Sequence, residues 1–312
     1  MNRKLFFTIV ITIIFSLFLS VEPGFTQKTT QEITNIEYPG MPELYSNLPE
    51  KVEETSGVIY FENALWTFND SGGKPELYKI DRTNGKISGE IKINNATNVD
   101  WEDIDQDEQF IYIGDFGNNR GNRQDLKIYK IDKKKLTGKD KQSVDAEVIQ
   151  FNYTDQADFE IQNRKHNFDC ESLITFGDSL IVFTKNWNNG KTRMYKLPKD
   201  TGQFSISPVE TFNADGLVTG ADYNQEAGTL ALIGYKNFIP FIYVIQNFDG
   251  NGFGNNAIYR INLLKMKDSQ TEGIYWKSND EVLISTESSG DWQPSAYILN
   301  INQVLNLAGF GQ

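Results

Sequence analysis

One pattern recurs five times along the chain, and this repetition constrains the fold more than any other feature. Each unit starts with a polar or acidic residue, continues through an apolar strand and a turn, and reaches a second, strongly apolar strand. Successive units lie 46, 69, 48 and 53 residues apart when measured between the equivalent positions Gly57, Asp103, Ser172, Gly220 and Gly273. Repetition at this period indicates one supersecondary unit per repeat, stacked on its neighbours.

The strands within a unit differ in how their apolar residues are spaced. The second strands are nearly continuous apolar runs, which indicates burial on both faces. They are residues 64–68, 110–113, 180–183, 230–233 and 282–284. The third strands alternate more, and weaker fourth strands are expected at residues 86–93, 146–153, 208–212 and 257–263.

Four antiparallel strands in each repeated unit are typical of a β-propeller, in which every sheet is covered by two neighbours. We therefore predict an all-β chain that forms a β-propeller of four-stranded blades. Five blades fit the repeats best, six blades are the alternative count, and a pair of β-sandwiches is the alternative architecture. The last unit has no fourth strand of its own, whereas residues 32–38 have the required alternation. Because edge strands need partners, we expect this N-terminal strand to complete the last blade and close the ring.

The N-terminal residues have the pattern of a signal peptide. Arg3 and Lys4 precede 15 apolar and hydroxyl residues, 5–19, a stretch that is short for a membrane span. We expect cleavage before Gln27, so that residues 1–26 are the signal peptide and residues 27–312 form a single β-propeller domain. The mature protein would then be secreted or periplasmic, with no membrane span; an uncleaved N-terminal anchor is the alternative.

Composition narrows the partners and the chemistry. The chain has 42 acidic and 30 basic residues, a net charge of −12, so nucleic acid is not an expected partner. His166 and Cys170 are the only histidine and the only cysteine, which excludes an internal disulfide and a metal centre rich in His or Cys. The abundant Asp, Glu and Asn residues are the ligands that hard cations such as calcium prefer.

The acidic residues are placed so that a propeller would gather them. The first strand of each blade lines the channel, and its start lies beside the end of the second strand. Counting from the turns pairs Asp100 with Asp115, Asp169 with Asn186, and Gln270 with Glu287. Glu102, Glu171 and Glu272 occupy equivalent positions in three units, where Ser56 and Thr219 stand in the other two. We expect all of these residues at one mouth of the channel.

Three roles for this ring remain open. Polar strand starts often hydrogen-bond the backbone of neighbouring blades, close carboxylates often surround a cation such as calcium, and carboxyl groups can act as general acids or bases. His166 is a candidate general base, or else a solvated loop residue. The further candidates for ligand binding are Asp70, Asp100, Asp169, Arg120 and Arg123. Both arginines lie in a Gly- and Asn-rich turn, where they either clamp a carboxylate or phosphate or stabilise the loop.

Three motifs resemble a known group of proteins. They are residues 65–73 (LWTFNDSGG), 97–103 (TNVDWED) and 113–119 (IGDFGNN). Together they resemble a family of uncharacterised secreted bacterial β-propellers, over nearly all of residues 38–299. The resemblance implies the fold and carries no established activity.

The chain is also similar in architecture, more distantly, to the gluconolactonase and strictosidine-synthase propellers, whose channel-mouth Glu, Asn and Asp residues bind a divalent cation. The positions to which this similarity assigns metal ligation are Glu102, Asp115, Glu171, Asn186, Glu272 and Glu287. The chain lacks a clear catalytic His or Lys–His arrangement at the mouth, and this departure argues against hydrolysis.

Two hypotheses about function follow. The first is a monomeric, secreted binding module whose acidic mouth, with calcium as its cofactor, holds a small molecule, a glycan or a protein. The second is a divalent-cation-dependent hydrolase of a lactone, ester or phosphoester. The sequence leaves open whether the protein is an enzyme, and a purely structural envelope protein is a third interpretation.

Overall fold

The computed structural model describes residues 32–254 and 256–310, whose strands form five sheets. Two N-terminal strands come first, β1 (Ile33–Tyr38) and β2 (Glu43–Asn47). The first blade contains β3 (Thr55–Phe61), β4 (Ala64–Asn69), β5 (Glu76–Asp81) and β6 (Lys86–Ile93). The chain then forms β7 (Trp101–Gln106), β8 (Phe110–Asp115), β9 (Lys127–Asp132), β10 (Lys141–Val144) and β11 (Glu147–Tyr153). The predicted signal peptide, residues 1–26, lies outside the described residues.

The second half of the chain continues the same plan. The third blade is formed from β12 (Asp169–Phe176), β13 (Ser179–Lys185), β14 (Thr192–Pro198) and β16 (Pro208–Phe212), with β15 (Gly202–Ile206) before its last strand. The fourth has β17 (Leu217–Asn224), β18 (Thr229–Lys236), β19 (Ile239–Ile245) and β20 (Ile258–Leu263). The fifth has β21 (Thr271–Trp276), β22 (Glu281–Thr286) and β23 (Ser295–Asn300).

Helical structure is sparse. Short 3-10 turns lie at Glu50–Val52, Lys133–Lys135 and Leu264–Met266, and one helix, α1 (Ile301–Leu307), follows β23. Within residues 32–254 and 256–310, no helix is long and apolar enough to cross a bilayer.

The five sheets form a closed ring. The innermost strands β3, β7, β12, β17 and β21 each contact the innermost strands of both neighbouring blades. Five apolar clusters fill the spaces between the blades, one at each interface. The nearly continuous apolar second strands are buried for this reason, because each of their faces packs against a different neighbour. The structure therefore confirms a five-bladed β-propeller.

An N-terminal strand closes the ring, but it is not the predicted one. Strand β2 pairs antiparallel with β23 and supplies the missing outer strand of the fifth blade. Strand β1 pairs instead in parallel with β20, on the outer edge of the fourth blade. The assignment of residues 32–38 to the last blade was therefore wrong. Both segments alternate, and the Pro39 to Pro42 turn carries the chain from one blade to the next.

Three blades carry a fifth strand from the segment that precedes the outer strand of the following blade. Strand β10 pairs in parallel with β6, β15 with β11, and β1 with β20. Each added strand covers an edge that would otherwise expose unpaired backbone groups. The polar segment of residues 133–145 contains one of these strands, β10.

Each innermost strand is irregular at the same point, next to the channel mouth. The pairing register with the second strand shifts across this point in all five blades. The residues inside the shifts include Ser56, Glu102, Glu171, Thr219 and Glu272. A bulge leaves one residue unpaired and changes the direction of its side chain. The predicted column of equivalent positions is thus a column of bulges.

Polar groups fasten neighbouring blades together around the axis. The Ser56 hydroxyl donates to the Glu102 carbonyl, and the Thr219 hydroxyl donates to the Thr271 carbonyl over 2.9 Å. Both residues therefore have the structural role that was one of the three interpretations. The innermost strands also approach closely, since a Cβ at Gly220 would lie 2.3 Å from the Glu272 carbonyl oxygen. Glycine is needed there because no side chain fits between the strands.

We expect Ser285→Ala to lower the free energy of unfolding by about 2 kcal/mol. The buried Ser285 hydroxyl donates to the Ser56 carbonyl and accepts from the Gly273 N–H, each over 2.8 Å, at the seam between the fifth and first blades. Its removal leaves two buried backbone groups unpaired. Urea unfolding measures the loss, and the exposed Ser88→Ala is the control. Equal effects of the two substitutions would contradict this role for Ser285.

Candidate functional site: the acidic channel mouth

The column of bulges opens into a cavity of about 200 Å³ at one mouth of the channel. Strands β7, β12 and β21 each place one bulge glutamate there, and the ends of β4, β13 and β18 supply the neighbouring side chains. The side chains that define it are Asp70, Glu102, Glu171 and Glu272, with Lys185, Trp187, Tyr235 and Phe238. The prediction that Glu102, Glu171 and Glu272 meet at one mouth is therefore met by the structure.

Three carboxylates meet on one side of the mouth. One oxygen from each of Asp70, Asp100 and Glu102 lies within 4.8 Å of the others. Glu102 is only 4% exposed, and its buried Oε1 has no hydrogen-bond partner among the described residues. The loop backbone packs directly on this group, because a Cβ at Gly117 would lie 2.0 Å from Glu102 Oε1 and 2.6 Å from the Asp100 carboxylate. A buried carboxylate oxygen without a donor is costly unless a cation or a proton accompanies it.

A second group adjoins the first, but its charges are compensated. Glu102, Asp169 and Glu171 also have oxygens within 4.8 Å of one another. Asp169 accepts a hydrogen bond from the Asn118 N–H over 2.5 Å and another from Trp187 Nε1 over 2.6 Å. Glu171 Oε2 lies 3.1 Å from Lys185 Nζ, and both side chains are buried. Of this group, only Glu102 has a fully buried oxygen without a hydrogen-bond partner among the described residues.

Burial shifts the ionisation of the whole mouth. It raises the pKa of Asp70 to about 6 and that of Asp100 to about 7, with repulsion from neighbouring carboxylates adding to the effect. The pKa values of Glu102 and Glu171 rise well above the usual range, also mainly through burial. Burial alone would lower the pKa of Lys185, but attraction to Glu171 raises it instead. Lys185 therefore stays charged.

Glu272 and Glu287 form the opposite side of the mouth. Burial is the main cause that raises the pKa of Glu272 to about 7. Burial and repulsion from Glu272 raise the pKa of Glu287 to about 9. The Glu287 N–H donates to the Gln270 carbonyl over 3.0 Å, which agrees with the register predicted for this hairpin.

Two predicted metal ligands lie elsewhere. Asp115 lies near Asp100, whose N–H donates to its Oδ1 over 3.2 Å, but the register pairs it with Trp101 and not, as predicted, with Asp100. The same oxygen lies 3.0 Å from Arg123 Nη2. Asn186 accepts from the Thr184 hydroxyl over 2.7 Å and does not line the cavity. The predicted pairing of Asp169 with Asn186 was wrong, because the bulge at Glu171 shifts the register. Asp169 faces Lys185 instead.

Hydrogen bonds within the loops give Arg123 and His166 structural roles. Arg123 donates to the Gly117 and Asp115 carbonyls, so it stabilises its own loop, whereas Arg120 is exposed. His166 is buried rather than solvated. Its Nδ1 accepts from the Phe168 N–H over 3.1 Å, which leaves Nε2 to donate to the Asn119 carbonyl over 3.3 Å. Both ring nitrogens are thereby used within the loop.

The candidate site residues chosen from the sequence did not include the side chains that complete the cavity. The bulge in β12 brings Lys185, at the end of β13, and Trp187 to the cavity. Tyr235 and Phe238 lie near the turn of the β18–β19 hairpin. The available signal was the polar end of each second strand, but a one-residue shift decides which of two neighbours points inward. That shift is not visible in the apolar pattern.

Comparison with known proteins found distant structural likenesses. No protein-family model matches the chain, and no curated protein matches it. A PQQ-bound aldose sugar dehydrogenase from Streptomyces coelicolor is similar over 83% of this chain and 96% of its own, with 10% identity and a TM-score of 0.49. A protein described as TolB from Agrobacterium tumefaciens is similar over 83% of this chain and 79% of its own, with 11% identity and a TM-score of 0.42. Likenesses this distant carry no information about activity.

Proposed function

We propose that the protein is an exported binding propeller whose channel mouth holds a hard divalent cation, calcium by its chemistry, and uses the adjoining cavity to hold a ligand. The observation that carries this proposal is Glu102, a buried carboxylate whose Oε1 has no partner among the described residues and points into a group of acids.

The donor set fits calcium. Calcium binds carboxylate and carbonyl oxygens at 2.3–2.6 Å, so two oxygens on one ion lie at most about 5 Å apart. The separations within Asp70, Asp100 and Glu102 are no more than 4.8 Å. Two of these residues are half-buried, which leaves room for water to complete the coordination. A cation would also relieve the repulsion among three close carboxylates.

We assign the cation to Asp70, Asp100 and Glu102 rather than to the neighbouring group. Both oxygens of Asp169 already accept hydrogen bonds, and Glu171 is paired with Lys185. Among the described residues, Asp100 and Glu102 accept no hydrogen bond at their carboxylates. These two therefore gain most from a bound cation.

Export rests on the predicted signal peptide of residues 1–26 and on the resemblance to secreted bacterial propellers. The proposed site is the mouth of a propeller channel, and the mature protein would meet its cation and its ligand outside the cytoplasm. Extracellular modules that bind calcium through a few carboxylates typically have dissociation constants up to the millimolar range.

We expect calcium to raise the melting temperature of the EDTA-treated protein by about 5 °C at a concentration one hundred times its dissociation constant. Glu102→Gln should abolish this shift, because it removes the only ligand of the three that is fully buried. Scanning calorimetry with and without calcium measures both.

Two further variants sharpen this test. Asp70→Asn should weaken calcium binding as Glu102→Gln does, whereas Glu171→Gln should retain it, since Glu171 pairs with Lys185. The control is Glu226→Gln, which removes an exposed charge at the opposite mouth. A calcium response of Glu102→Gln equal to that of the unmodified protein would overturn the cation site.

A cation-dependent hydrolase of a lactone, ester or phosphoester stays the alternative. The cation would then polarise the substrate and activate water. Its sequence-derived general base, His166, has both ring nitrogens in backbone hydrogen bonds, so the binding role is better supported. Calcium-dependent turnover of such substrates that Glu171→Gln abolishes would favour the hydrolase.

A further inference from the structure

The mouth has a second half that the cation site does not use. Glu272, Tyr235 and Phe238 line the cavity of about 200 Å³ on the side formed by the fourth and fifth blades. Since a water molecule occupies about 30 Å³ in the liquid, this volume holds roughly six waters. A small organic group fits in the same space.

Glu272 is the unexplained residue of this half. It is only 8% exposed, and among the described residues its carboxylate has no hydrogen bond and no ion pair. Glu287 adds a second carboxyl group nearby, and it also has no side-chain hydrogen bond or ion pair in the described part of the chain. A buried carboxylate without a partner favours the binding of a cation from outside the chain.

Lys185 shows how this mouth accommodates a primary ammonium group. Its Nζ lies 3.1 Å from Glu171 Oε2, 4.7 Å from the centre of the Trp187 ring and 5.8 Å from the centre of the Tyr235 ring. One carboxylate and two aromatic faces are a favourable environment for an organic cation. Glu272, beside Tyr235 and Phe238, has a similar environment, but Lys185 attracts it only from beyond ion-pair distance and pairs with Glu171 instead.

Phe238 gives this half an apolar wall. It is 67% exposed at the tip of the β18–β19 hairpin, between strands that pair as far as Lys236 and Ile239. The Asp268 N–H donates to the Phe238 carbonyl over 2.7 Å and fixes the tip against the fifth blade. An exposed phenylalanine beside acids favours an organic cation over a hydrated metal ion, because the ring contacts alkyl groups as well as charge.

We propose that this half of the mouth binds the ammonium or guanidinium group of a ligand, held by Glu272 and flanked by Tyr235 and Phe238. The group would come from a polyamine or from a lysine or arginine side chain of a peptide. This inference rests on the proposed binding function of the mouth, but not on the calcium site, whose ligands are Asp70, Asp100 and Glu102.

Titration calorimetry of the whole protein with two probes tests the proposal. The probes are spermidine and the blocked peptide acetyl-Gly-Lys-Gly-amide, at about 0.15 M salt to screen nonspecific attraction. We expect at least one to bind at one site, and Glu272→Gln to weaken it about tenfold or more. Phe238→Ser, at a position that is 67% exposed, should weaken it about threefold.

Controls separate this site from the general acidity of the chain. Glu226→Gln, at the opposite mouth, should bind the probes as the unmodified protein does. The same peptide with an acetylated lysine should not bind. Binding of spermidine alone would identify a polyamine site, and binding of the peptide alone a peptide site. No binding of either probe, or equal binding by Glu272→Gln, would overturn the proposal.

These experiments test the calcium site and the organic-cation site separately. The Glu102→Gln variant tests the calcium site while the organic-cation site is intact. The Glu272→Gln variant tests the organic-cation site while the calcium site is intact. Probe binding that persists in EDTA while calcium does not bind would retain the organic-cation site and reject the cation site. Calcium binding without probe binding would do the reverse.

Discussion

Replacing Asp103 with alanine is expected to lower the melting temperature by about 10 °C, from a loss of about 3–5 kcal/mol. Asp103 lies on β7 at the centre of the ring and is 1% exposed. Its Oδ2 accepts from the Leu173 N–H of the third blade over 2.9 Å and from the Ala221 N–H of the fourth over 3.4 Å. Alanine would leave both donors buried without an acceptor.

Asp103→Asn is the matched comparison for this prediction. An amide oxygen can still accept from the Leu173 N–H, so the loss should be clearly smaller than for alanine. Burial raises the pKa of Asp103 well above its usual range, while the backbone donors around it oppose this. Calorimetric melting of both variants measures the difference. If Asp103→Ala melted within about 2 °C of the unmodified protein, this carboxylate would not be an important contact between the second blade and the third and fourth blades.

The second large effect concerns pH. Without calcium, the melting temperature should fall by about 5–10 °C between about pH 5 and pH 8. Carboxyl groups in the unfolded chain ionise near pH 4, whereas burial raises the pKa of Asp70 to about 6, of Asp100 and Glu272 to about 7, and of Glu287 to about 9. The folded state therefore holds more protons in this range, and stability falls as pH rises.

Two comparisons assign this pH dependence to the mouth. Glu102→Gln should flatten the fall, because it removes one of the buried carboxyl groups, whereas Glu226→Gln should leave it unchanged. Saturating calcium should also flatten it, since a bound cation keeps its ligands ionised at little cost. Melting curves at a series of pH values test this. A metal-free protein that gains stability towards pH 8 would contradict the account.

Much of the fold could be predicted because its signals are local and repeated. The continuous apolar runs, such as residues 180–183 and 230–233, marked the second strands, and their number gave the blade count. The choice between β1 and β2 for the fifth blade could not be predicted, because both segments alternate and only tertiary packing distinguishes them. The same holds for β10 and β15, which are short polar segments whose partners lie in another blade.

The candidate site was predictable only in part, for a geometric reason. Glu102, Glu171 and Glu272 stood at equivalent positions of the repeat, so their convergence followed from the ring. Lys185 was not among the candidate site residues, because a bulge of one residue turned it, rather than Asn186, towards Asp169. The partners of Asp115 were also not predictable, since Arg123 reaches it through the conformation of a loop. The positions of the acidic residues can be predicted from the repeat, but the basic residues that pair with them cannot.

The two N-terminal strands have a consequence for the order of folding. Strands β1 and β2 are made first, yet they pair with β20 and β23, which are among the last strands to be made. The fourth blade therefore cannot be completed before β20 has been made, nor the fifth before β23, whatever happens to the first three. Pairing β1 with β20 and β2 with β23 joins segments far apart in sequence, at a large cost in loop-closure entropy. The finished ring, and with it the mouth that the five blades share, is assembled only after β23 has emerged.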